Sequence, residues 1–267
     1  MAIGESGVLK TRILSALALA PPFLLAVYFG SPWFDVVAMA GGAVMGWEWA
    51  RICHGGRFGP SGRMMSVGLA LVAALVGPAP GLALAVIGAA ALAVAWLDRA
   101  EPEARAWSIT GVLYLGVTLM ALVWVRWAGD WTTFVWLLAV VWATDSGAYA
   151  CGRLIGGPLL APRISPRKTW AGLIGGAVAA LVAGGLVSSL LGVPSVWVWL
   201  LAPALAVISQ MGDLFESFVK RRFNVKDSSH IIPGHGGVLD RMDGLLAAAV
   251  PVAGIVALFG EGISQWP

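Results

Sequence analysis

Long apolar runs, separated by short polar breaks, set the pattern of this chain. A membrane-crossing helix needs about 20 mostly apolar residues, and the chain offers about nine such stretches. They lie near 12–30, 33–50, 65–79, 81–97, 107–128, 131–150, 170–192, 196–213 and 243–260. Too little sequence remains between them for a separate soluble domain. The expected fold is all-α, one polytopic membrane domain over 1–267. Within it, 1–130 holds apolar helices, and 131–267 holds the helices and loops that carry the polar motifs. The first stretch follows Lys10 and Arg12 as a signal peptide would. Its apolar run continues through Pro21 and Pro22 to Tyr28 and many spans follow, so it reads as a retained anchor.

Composition agrees. Of 267 residues, 59% are hydrophobic and 12% are charged, whereas soluble domains carry roughly 25% charged residues. Charge placement then sets the orientation. With nine spans, 16 of the 17 basic residues fall on the N-terminal side of the membrane, and only Arg126 falls near the other. The positive-inside rule makes that side cytoplasmic. Net charge is +3, and basic loops of this kind suit anionic lipid headgroups rather than a nucleic acid. Trp33, Trp107, Trp131, Trp170 and Trp197 lie near span ends, as interfacial anchors do. Cys53 and Cys151 both fall on the reducing side, so no disulfide is expected. Gly41–Gly42 and Gly175–Gly176 are expected to permit close helix packing.

Three polar clusters interrupt the apolar pattern. In the first, Thr144–Arg153 (TDSGAYACGR), an ionised Asp145 at the bilayer centre would cost about 3 kcal/mol or more. It needs a cationic partner such as Arg153 or Lys168, a water-filled cavity or a metal; a simple helix-tying ion pair is the plainer alternative. In the second, Arg163–Gly172 (RISPRKTWAG), Ser165-Pro166 excludes helix before the seventh span. Arg167, Lys168 and the N–H groups of the incoming helix could bind phosphate, or the segment could be an ordinary basic loop capped by Ser or Thr. The third begins at Gln210. If helical, Asp213, Glu216, Ser217 and Lys220 share one face.

From Ser217 to Asp243 runs SFVKRRFNVKDSSHIIPGHGGVLDRMD, with eight of the chain's 31 charged residues and two of its three histidines. Its glycines could present backbone N–H groups to phosphate oxygens. Asp240 and Asp243 stand three apart at the mouth of the last span. Mg²⁺ takes few carboxylates and leaves room for phosphate oxygens, and Asp213, Asp240 and Asp243 are a set of that kind. Two ions about 4 Å apart could clamp an in-line displacement. Together these features favour phosphoryl or nucleotidyl transfer.

The whole run resembles the signature of the phosphatidate cytidylyltransferases, also called CDP-diacylglycerol synthases. The matching elements are Ser217, Lys220-Arg221, Lys226-Asp227, Pro233, His235-Gly236-Gly237 and Asp240-Arg241-Met242-Asp243, without a gap across 27 residues. TDSGAYACGR, SPRKTW and QMGDLFES are similar to that family's other polar motifs. The resemblance implies a helical, usually dimeric membrane enzyme of the bacterial inner membrane. Its reaction would convert CTP and phosphatidate to CDP-diacylglycerol and pyrophosphate with Mg²⁺, as two divalent ions, amid membrane lipids. It also implies metal ligation by Asp213, Asp240 and Asp243, with Lys226 joining them in catalysis. Substrate contacts would come from Lys168, Lys220, Arg221, His235 and Asp145, together with Arg153, Ser217, Asp227, Gly236, Gly237 and Arg241. Ala171 departs from the pattern, since many relatives carry Glu there, and no role follows for it. The rival readings are a CTP-dependent lipid kinase of the polyprenol type and a transporter or flippase.

Overall fold

The computed structural model describes residues 5–193 and 195–266. Among them, nine α-helices follow the nine apolar stretches in order. They are α1 (Glu5–Phe29), α2 (Trp33–Cys53), α3 (Pro60–Leu75), α4 (Pro80–Leu97), α5 (Pro102–Gly129), α6 (Trp131–Leu154), α7 (Trp170–Leu190), α8 (Val196–Arg222) and α9 (Leu239–Phe259). Seven are long and apolar enough to cross a membrane. The other two are α2, which carries Asp35, Glu48 and Arg51, and α3, which has 16 residues. Prolines open α3, α4 and α5, where the missing N–H has no intrahelical partner to lose.

One element escapes the helical expectation. Strands β1 (Leu159–Ala161) and β2 (Ser165–Thr169) form a small antiparallel hairpin before α7. Pro158, Pro162 and Pro166 keep this segment out of helix, and a residue preceding proline is driven to extended backbone. Thr169 then caps α7, its Oγ1 accepting from Gly172 N at 3.0 Å.

The chain gathers into two compact units. The first comprises Met1–Val123 and Phe223–Met242, and the second comprises Trp124–Arg222 and Asp243–Pro267. In the first, α1 packs on α2, α2 on α3 and α3 on α4, around buried Met45, Trp49, Met65, Leu69 and Leu115. The α2–α3 approach is close: a Cβ at Gly46 would stand 2.8 Å from Ser66 N. Gly42 is equally confined, by the Leu69 carbonyl and Leu119, whereas Gly41 meets nothing within 4 Å and has no packing role. Below this core, Asp98 accepts from Ser108 Oγ at 2.6 Å and lies 3.2 Å from His54 Nε2.

In the second unit α6 packs along α7, α7 along α8, and the hairpin rests on all three. Small residues let the α6 and α7 backbones meet. A Cβ at Gly147 would lie 2.8 Å from the Gly175 carbonyl, and one at Gly176 would lie 2.9 Å from the Thr144 carbonyl. Asp130 starts α6, accepting from Thr133 N at 2.8 Å. Trp33, Trp131, Trp170 and Trp197 stand exposed at or next to helix starts. Trp107 instead packs edge-on against Phe223, 5.9 Å between ring centroids, and its carbonyl accepts from Trp49 Nε1. Both cysteines are free thiols.

These contacts set an expectation for stability. Gly147→Val must push the α6 and α7 backbones apart, at a cost of about 1–3 kcal/mol, and should lower the unfolding temperature in detergent by several degrees. Gly41→Ala should leave it unchanged or raise it slightly, since alanine favours helix over glycine by about 1 kcal/mol at most. Equal behaviour of the two variants would contradict the packing described here.

Candidate functional site

In the second unit, the polar face of α8 forms as the i, i+3, i+4, i+7 spacing requires. Asp213 takes Lys168 Nζ of β2 at 2.7 Å on Oδ2 and the Ser217 hydroxyl at 3.2 Å on Oδ1. One turn on, Glu216 and Lys220 pair at 3.1 Å, both nearly excluded from solvent at 1% and 9% exposed. Lys220 is therefore neutralised within its own helix. Arg221 reaches the Ile164 carbonyl of the hairpin through Nε at 3.4 Å. The hairpin is thus the device that brings Lys168 to α8.

Asp243 joins this cluster because α8 and α9 touch at glycines. A Cβ at Gly212 would stand 2.6 Å from the Asp243 carbonyl, and one at Gly244 would collide with Ser209 Oγ. Asp243 consequently lies within electrostatic range of Asp213, Glu216 and Lys220. Its Oδ1 accepts from Gly244 N at 2.8 Å. On α6, Asp145, Tyr149 and Arg153 are exposed and follow one another at i, i+4, i+8; Arg153 donates to the Tyr149 hydroxyl at 2.8 Å.

The first unit holds the glycine-rich loop, and here the structure departs from the expected use of its backbone. The N–H groups of His235 and Gly236 both donate to the Ile232 carbonyl. Gly237 N donates to Asp240 Oδ2 at 2.8 Å, and the N–H groups of Val238 and Leu239 donate to Glu48. Every N–H from 235 to 239 thus has a partner inside the protein, where the glycines were expected to turn theirs to phosphate. The roles of Gly236 and Gly237 are conformational. Gly236 sits at φ +91, in the region that favours glycine. A Cβ on Gly237 would collide with Ser228 Oγ and Glu48 Oε1.

Asp240 is buried, and its carboxylate binds the loop together by accepting from Ser228 N, Ser228 Oγ and Gly237 N. From α1, Arg12 Nε donates to the Gly234 carbonyl at 3.0 Å. Ser15 Oγ lies 3.0 Å from the Pro233 carbonyl and 2.8 Å from His235 Nδ1. A carbonyl only accepts, so a Ser15 proton directed to Pro233 makes Nδ1 the donor to Ser15. Lys226, Asp227 and Arg241 are exposed.

Sequence reasoning missed Glu48, Ser228, Ser229, Arg12 and Ser15. Glu48 had a visible signal, a carboxylate inside an apolar stretch; the two serines had only their place beside the motif. As for metal binding, Asp213 and Asp243 supply hard oxygen donors of the kind Mg²⁺ takes singly or in pairs. Among the described residues no group of three or more His, Cys, Asp or Glu is arranged to hold a metal ion. The donors fit an ion completed by water and substrate oxygens, and they do not fit an all-protein cage.

Comparison with known proteins gives this polar architecture its relatives. The sequence profile of the cytidylyltransferase family matches residues 10–259. A phosphatidate cytidylyltransferase of Brucella suis biovar 1 (strain 1330) is 42% identical over 259 residues, covering 95% of each chain. One from Haemophilus influenzae is 32% identical over 90% of this chain and 96% of its own. Another, from Rickettsia bellii, is 30% identical over 90% and 87%. A match running from the first helix to the last, through α8, the loop and α9, makes this chain a member of the cytidylyltransferase family.

Proposed function

We propose that this protein transfers the cytidylyl group of CTP to phosphatidate, giving CDP-diacylglycerol and pyrophosphate. The likeness over 95% of both chains to a protein of that name carries the reading. In the reaction a phosphatidate oxygen attacks the α-phosphorus of CTP. The new O–P bond forms as the bond from the α-phosphorus to the bridging oxygen breaks, and pyrophosphate leaves with that electron pair.

Phosphatidate is an anion near neutral pH, so the attack needs no strong general base. The greater obstacle is bringing two anions together in line, and electrostatic alignment answers it. Lys168 holds its ammonium beside Asp213 at 2.7 Å, a point charge that can turn toward a phosphate oxygen. Exposed Arg153, Arg221, Lys226 and Arg241 offer further charge to phosphates, and Ser217 and Asp227 accompany them. Asp213 and Asp243 would hold Mg²⁺, which would screen the phosphate charges. Asp240 contributes chiefly by fixing the loop that carries His235. Asp145, with Tyr149 and Arg153, gives α6 a polar face for the headgroup. In this reading the basic loops face the cytoplasm, where CTP is, as the positive-inside rule favours, and the protein works as a homodimer in the bacterial inner membrane, as the family resemblance implies, with the acyl chains remaining in the bilayer.

Two outcomes test this. With CTP labelled separately at the α- and γ-phosphates, purified protein and phosphatidate should put α-label into lipid and release pyrophosphate. Lipid labelled at the γ-position would indicate a kinase, and no labelled lipid from folded protein would favour a carrier. Asp213→Asn and Asp243→Asn should each lower turnover about 100-fold or more, and Asp240→Asn should lower it less, since one amide oxygen can keep the bonds from Ser228 and Gly237 while the negative charge that strengthens them is lost. Near-normal turnover in Asp243→Asn would remove that residue from the proposed site.

A further inference from the structure

Glu48 lies in the N-terminal half of the chain, outside every motif that points to transfer chemistry. Of the two carboxylates in α2, Asp35 and Glu48, only Glu48 is fully buried, at 0% exposed. It accepts from Ser229 Oγ at 2.6 Å, Val238 N at 2.9 Å and Leu239 N at 2.7 Å. Its ligands are thus the two sides of the glycine-rich loop and the opening of α9. The N–H groups at a helix start have no intrahelical acceptor. At α9 a carboxylate from another helix supplies it, at the end of the dipole that favours negative charge.

We propose that Glu48 is a positioning residue for cytidylyl transfer, fixing the loop that carries His235 and Asp240; this rests on the function proposed above. Adjacent residues on the two sides of the loop are fastened by two different carboxylates. Asp240 joins Ser228 to Gly237, and Glu48 joins Ser229 to Val238 and Leu239. The fastenings are parallel, so loss of one leaves the chain closed but free to shift. The glycine at 237 reports the same closeness from the other side, because any side chain there would strike Glu48 Oε1. Glu48 is fully buried and binds Ser229, Val238 and Leu239. Its effect passes through the loop backbone.

The test compares Glu48→Gln and Gly237→Ala with the unmodified full chain in detergent. It reads kcat and KM for CTP and phosphatidate, thermal unfolding, and amide hydrogen exchange over 228–239. Glutamine keeps the shape but sets an amide against N–H donors. Exchange should accelerate about tenfold or more across the loop. A displacement of this kind should lower kcat about 10- to 100-fold, with both KM values within about threefold and the unfolding temperature nearly kept. Gly237→Ala should show the same split. Unchanged exchange, or unchanged kcat per folded molecule with only a lower unfolding temperature, would overturn the proposal. If the unmodified protein forms no CDP-lipid, the proposed function falls, and with it the catalytic part of this inference; the exchange arm still decides whether Glu48 fixes the loop.

Discussion

A carboxylate withdrawn from water must find its donors within the protein, and in a chain that is 59% hydrophobic this requirement shapes everything polar. Glu48 and Asp240 meet it by gathering loop N–H and hydroxyl groups around themselves. Glu216 meets it with an ammonium partner at 3.1 Å, and half-exposed Asp213 takes one at 2.7 Å. The Glu48 and Asp213 contacts draw segments distant in sequence to one place, whereas the Glu216 pair closes within one helix. The route of the chain between 223 and 240 is therefore as much a product of desolvation as of turn chemistry.

Glycine supplies the complementary constraint, the distance at which helices run. Contacts of α6 with α7 at Gly147 and Gly176, and of α8 with α9 at Gly212 and Gly244, leave no space for a Cβ. The second contact matters for chemistry, because it carries Asp243 of α9 toward Asp213 of α8. Acidic side chains that lie thirty residues apart become neighbours through the absence of two methyl groups.

The helices were legible because apolar length is a strong signal in a membrane protein. The α8 face was legible from residue spacing, but the pairing of Lys168 with Asp213 was not, since the sequence offered Lys168 to Asp145 or to phosphate. The hairpin was only half legible: its prolines excluded helix, but nothing local told a loop from a strand pair. The loop misled for a physical reason. Glycine-rich sequence reveals that a backbone can approach an acceptor, not which acceptor it approaches, and here the acceptors were Asp240 and Glu48. Glu48 lay some 190 residues away from the loop it serves. No window of local sequence links the two, and the anchoring of the loop by Arg12 and Ser15 was hidden in the same way.

The saturated backbone of 235–239 has a thermodynamic consequence. A loop whose N–H groups wait for an anion stays mobile until the anion arrives, and its ordering weakens binding. This loop loses that conformational freedom when the chain folds. Any anion that approaches it meets a surface already set, and recognition there passes from peptide groups, which treat every phosphate alike, to side chains, which can differ.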